Sequence, residues 1–80
     1  MNIKPNTYYK DYFDDIKEYN IIYTGNNHVY VIARKFNNAP LYKYDHKVKL
    51  GNIKKWQNYI TWYNSKIEEI SEGDVFLELL

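Results

Sequence analysis

Ten of the eighty residues are tyrosine, and five more are phenylalanine or tryptophan. A chain of this length buries only about 60 % of the surface its unfolded form exposes. Its interior cannot take fifteen rings, so some must lie at the surface or between layers. Tyrosine combines an apolar ring with a polar tip and is enriched where proteins touch partners. The aromatic load points to a small domain that works by binding.

Eighty residues make one domain, residues 1–80. There is no cysteine, hence no disulfide framework and no cysteine-based zinc site. His28 and His46 are too few for a histidine-rich metal cluster, and no metal or cofactor is expected. No apolar run approaches the roughly 18 residues of a membrane span, and no charged-then-apolar leader opens the chain. The expectation is a cytoplasmic protein with no membrane partner. Lysine, asparagine, isoleucine, tyrosine and phenylalanine make up 42 of the 80 residues, against one arginine and two alanines. These are the residues of AT-rich codons, which suggests a low-GC bacterial host or one of its phages or mobile elements.

Net charge is only +1 but is segregated along the chain. Arg34, Lys35, Lys43, Lys47, Lys49, Lys54 and Lys55 against Asp45 give the middle a charge of +6. Residues 1–30 carry −1, and residues 56–80, with Lys66 against five acids, carry −4.

A first helix is expected from about Thr7 to Tyr19, because Tyr9, Tyr12, Ile16 and Tyr19 share one helical face. Its other positions include Asp11, Asp14, Asp15 and Glu18. Three strands follow. Asn20–Thr24 and His28–Phe36 flank Gly25-Asn26-Asn27, a turn sequence that tolerates positive φ. Leu41–Leu50 alternates, with Tyr42, Tyr44, His46, Val48 and Leu50 on one side and Lys43, Asp45, Lys47 and Lys49 on the other. A second helix is expected from about Asn52 to Ser71, with Ile53, Trp56, Ile60, Tyr63, Ile67 and Ile70 in one stripe. The apolar tail Asp74–Leu80 suits a short helix or an edge strand. The fold class is α+β, in α-β-β-β-α order. A three-stranded antiparallel sheet packs both helices on one face.

Three features offer a binding surface. Lys54 and Lys55 open the second helix where the macrodipole favours anions, and Lys43, Lys47, Lys49 and Arg34 could extend one basic surface beside them. Tyr59 and Trp62 fall off the helical stripe, as does Tyr8 on the first helix, and exposed rings of this kind anchor interfaces. The acidic faces Asp11/Asp14/Asp15/Glu18 and Glu68/Glu69/Glu72 could mimic phosphates. No nucleophile elbow surrounds Ser65 or Ser71, and three glycines supply no phosphate-cradling loop. An enzyme is not expected.

The leading expectation is a small non-enzymatic binding protein of phage or mobile-element type. It would inhibit or modulate a host protein or protein–nucleic-acid complex of the anti-CRISPR or anti-restriction kind. One alternative is a nucleic-acid-binding domain using the basic sheet and helix N-terminus. The segment from His28 through Ile60 is similar in arrangement to double-stranded-RNA-binding and recombinase arm-binding domains. Another alternative is a toxin–antitoxin component, and a homodimer is compatible with each.

Overall fold

The computed structural model describes residues 2–14 and 17–80, with the Asp14 side chain set aside. The elements are β1 (Thr7–Asp14), β2 (Glu18–Thr24), β3 (His28–Lys35), β4 (Tyr42–Asn52), α1 (Ile53–Tyr63), β5 (Lys66–Ile70) and α2 (Glu72–Leu79). The five strands form one antiparallel sheet in the order β4-β3-β2-β1-β5. Helix α1 links the two edge strands, β4 and β5, by crossing one face of the sheet. Helix α2 lies on the other face.

This overturns the expected three-stranded sheet with both helices on one face. The segment expected as a first helix holds β1 and the start of β2; Asp15 and Ile16 lie outside the described residues. Thr7, Tyr8, Tyr9, Tyr12 and Phe13 are β-branched or aromatic and suit a pleated surface better than a helix. Tyr9 packs in the core under α1, whereas Tyr8 packs on the α2 side. Adjacent side chains on opposite faces are what a strand covered on both sides produces.

The expected second helix also divides. Asn64 adopts the left-handed conformation (φ 52°, ψ 41°), and its N–H bonds back to Ile60 O and Thr61 O, ending α1. The chain then extends into β5. Ile67 joins the core under α1 and Ile70 the core under α2. Tyr63, expected in the buried stripe, is exposed. Trp56 and Ile60 do face the sheet, and Ile53 packs partly buried beside them. The tail is helix α2. Ser71 caps it by accepting the Asp74 N–H at 3.1 Å, and Glu72 and Asp74 in the first turn suit the dipole.

A bulge on β3 allows the sheet to serve two cores. Ile21 pairs with Ala33 while its neighbour Ile22 pairs with Val31, leaving Ile32 extra. Val29 and Val31 therefore face α1, whereas Ala33 faces α2. The core under α1 contains Ile3, Tyr9, Ile22, Val29, Val31, Trp56 and Ile60. The core under α2 contains Ile21, Ala33 and Val75, ringed by Tyr8, Tyr19, Ile32, Leu41, Ile70 and Leu79. Buried Thr24 fastens the N-terminal segment: its hydroxyl lies 2.6 Å from Lys4 O and accepts the Thr7 N–H at 3.0 Å. That tie holds Ile3 in place.

Candidate functional site: the outer face of α1 and the pocket beneath it

Helix α1 is placed by its entry. A register irregularity at Leu50 precedes Gly51, whose φ of 147° is a conformation that L side chains rarely adopt. The Lys55 side chain also packs 3.4 Å from where a Gly51 Cβ would sit. Asn52 then caps the helix by accepting the Lys55 N–H at 2.7 Å, and the Ile53 N–H donates to Asn27 O. Two of the first amides are thus engaged internally, which weakens the N-terminus as an anion cradle.

With Trp56 and Ile60 directed at the sheet, the 3.6-residue period sends other rings outward. Trp62 is 84 % exposed, Tyr63 63 % and Tyr59 51 %. Tyr59 and Tyr63, four residues apart, place ring centroids 4.6 Å apart. Tyr59 and Tyr63 also line a shallow groove of about 510 Å³ with Tyr12, Phe13, Asn64, Ser65 and Lys66.

The expected basic surface is divided by the sheet. Lys43 reaches the end of α2, donating to Leu79 O at 2.8 Å. Lys47 lies over the rings of Tyr23 and Tyr30, at 5.5 and 5.3 Å from their centroids. Lys49 is the register partner of Tyr30. These three belong to the α2 side. Arg34 and Lys55 line a pocket on the α1 side, and Lys54 is exposed on the first turn of α1. Tyr8, expected as an exposed ring, is half-buried between the α2-side core and Tyr23, 4.7 Å away. The expected acidic helix faces do not form: Asp11, Asp14, Glu18, Glu68 and Glu69 lie on strands, and Glu72 opens α2. Asp11 is buried, and Glu68 and Glu69 are successive strand residues on opposite sides of β5.

Beneath α1, at the end of its core, three polar residues stand in register across three strands: Asp11 on β1, Asn20 on β2 and Arg34 on β3. Arg34 Nε donates to Asn20 Oδ1 at 2.7 Å, and its guanidinium lies over Phe13 and Phe36. Asp11 is only 7 % exposed, and no described residue forms an ion pair with it. Burial raises its pKa, because a carboxylate loses hydration there. The Trp56 indole N–H lies near enough to draw that pKa partly back down, yet it closes no hydrogen bond. The row floors a pocket of about 320 Å³, walled by Val31, Leu50, Lys55, Trp56 and Tyr59.

Sequence reasoning singled out Tyr59, Trp62, Arg34 and Lys55, and placed Asp11 on a phosphate-mimicking acidic helix face rather than in a pocket; it did not single out Asn20 or Trp56 as site residues. The alternation Tyr9-Asp11-Phe13 was the available signal: read at period two, it places an acid on an apolar face. Among the described residues, no group of three histidine or acidic side chains is placed to hold a metal ion. Among the same residues, no helix is long and apolar enough to cross a membrane.

No protein-family model, curated protein or solved structure matches the chain, so its function is read from the residues and geometry alone.

Proposed function

We propose that this protein acts by binding, as a small inhibitor or modulator encoded by a phage or mobile element. Its target would be a host protein or protein–nucleic-acid complex, engaged through the outer face of α1. The observation that carries this reading is Trp62, the larger part of whose ring is in solvent on a rigid helix beside Tyr59 and Tyr63. Exposed tryptophan and tyrosine on a fixed scaffold lose little entropy on docking and dominate interface energetics. The adjoining groove supplies relief into which a partner side chain can fit. The test is capture of a stoichiometric partner from host lysate after nuclease treatment, repeated with Trp62→Ala. Retention of the same partner by the variant at undiminished affinity would overturn the assignment of the interface.

A second reading, nucleic-acid binding, has its own observation. Tyr8, Tyr23 and Tyr30 stand in register across three strands, with Lys47 over two of the rings and Lys49 alongside. Aromatic rings interleaved with lysine suit stacked bases and backbone phosphates. The rings are half-buried, which favours the protein-binding reading. A salt-sensitive shift with generic single-stranded DNA or RNA, lost in Lys47→Glu, would reverse that preference.

A further inference from the structure

The pocket under α1 holds a buried indole donor that the protein leaves unpartnered and, beside it, a buried carboxylate without an ion pair. Trp56 is 5 % exposed, and its indole N–H has no acceptor. The Asp11 carboxylate is buried with no cation paired to it. A buried donor left without an acceptor beside a buried, unpaired carboxylate costs free energy unless something fills the pocket. The space is large enough for a small molecule, since ligand pockets begin at roughly 300 Å³.

We propose that this pocket binds a guanine nucleotide, with the base edge against Asp11 and Trp56 and the phosphate toward Arg34 and Lys55. The base edge follows from the donor and acceptor count. A carboxylate offers two acceptor oxygens, and the indole offers one donor. Guanine presents two adjacent donors, N1–H and the 2-amino group, next to the O6 acceptor. Adenine presents one donor beside one acceptor and leaves a carboxylate oxygen unmet. The walls fit a planar base, because Trp56 and Tyr59 supply aromatic surface and Val31 and Leu50 apolar surface. Arg34 and Lys55 set two cations against the Asp11 charge, which favours an anion at this site. The Arg34 Nε–H is committed to Asn20, which leaves its terminal N–H groups for a phosphate. The site shares Tyr59 with the outer face of α1 but does not require a macromolecular partner.

The experiment is an NMR titration of the ¹⁵N-labelled full chain, following the two indole N–H resonances, with GMP, AMP and inorganic phosphate. The expected result is a saturable shift of the Trp56 resonance with GMP at least tenfold tighter than with AMP. Trp62 lies on the outer face and serves as the internal reference. Asp11→Asn replaces one acceptor oxygen with a donor and should weaken GMP at least tenfold, removing the preference over AMP. Lys55→Ala should weaken both nucleotides while preserving the preference. No Trp56 shift at millimolar GMP would overturn the proposal, leaving the pocket to water. Equal binding of GMP and AMP, an equal response to phosphate alone, or a shift confined to Trp62 would do the same. None of these outcomes bears on partner capture through Trp62, so the two proposals fail separately.

Discussion

Lys10 and Glu78 form an ion pair at 2.5 Å that fastens β1 to α2 across the sheet face. Their side chains are 17 % and 28 % exposed, so solvent screens the pair less than it screens Lys4–Glu69, whose side chains are more than half exposed. Glu78 also accepts the Tyr19 hydroxyl at 3.1 Å. One carboxylate thus anchors a helix of eight residues that is too short to hold its shape alone.

Glu78→Ala is expected to destabilise the fold by about 1–2 kcal/mol, since it removes two charge-assisted hydrogen bonds at a partly shielded site. Urea unfolding of Glu78→Ala, Lys10→Ala and the double variant checks this. A coupling energy near zero would show that the pair contributes only packing.

The same cluster sets an alkaline limit. Burial, the Glu78 charge and the Glu78 hydrogen bond push the Tyr19 pKa up to about 12. Burial alone would lower the Lys10 pKa, but the Glu78 hydrogen bond and charge outweigh it and the net shift is upward. Both folded pKa values lie above their ordinary values, so both contributions are fully present below about pH 10. They are lost as pH rises through the folded values. Stability should therefore fall steeply between pH 10 and 12, and Tyr19→Phe should make that fall shallower. Unfolding free energies measured across that range decide the point.

Asp11 acts with the opposite consequence for a carboxylate from that of an ion-paired one. Its folded pKa is raised by burial, so the penalty for its charge is absent at pH values below the ordinary 3.8 and fully present above the folded pKa. Asp11→Asn should stabilise the protein at neutral pH by about 1 kcal/mol, because a neutral amide costs less to bury than an unpaired charge. The gain should vanish at low pH. Urea unfolding of both proteins at neutral pH and near pH 4 provides the comparison.

The two tryptophans should separate stability from binding. Trp56→Ala removes a ring from the core under α1 and is expected to cost about 3–5 kcal/mol. Trp62→Ala should change stability by less than about 0.5 kcal/mol, since the ring makes little contact with the rest of the protein. Thermal or urea unfolding of the two variants tests the contrast, and a comparable loss in both would place Trp62 in the core.

Several features of the fold are local and legible in the chain. The turn at Gly25-Asn26-Asn27 joins two β-branched runs, and Asn52 before Ile53, Trp56 and Ile60 marks a helix start. With Trp56 and Ile60 inward, Trp62 falls outward by period alone. The outer elements were decided elsewhere. Ile67 and Ile70 are three apart, which on a helix means one face and on a strand means opposite faces. The strand arrangement is stable only because β5 has a covering on both sides, with α1 over Ile67 and α2 over Ile70. The same holds for Tyr8 and Tyr9 on β1. No local window contains that information, because the second covering comes from the last eight-residue helix of the chain, more than fifty residues from β1. The pocket has the same origin. Asp11, Asn20 and Arg34 are distant in sequence and meet only through strand register, while a helix from beyond β4 closes over them. The chain by itself determined a small aromatic-rich α+β domain with Trp62 off the buried helical stripe. The tertiary structure decided that its sheet has two cores and that a buried acid and an unpartnered indole share one cavity, because both depend on contacts between elements far apart in the chain.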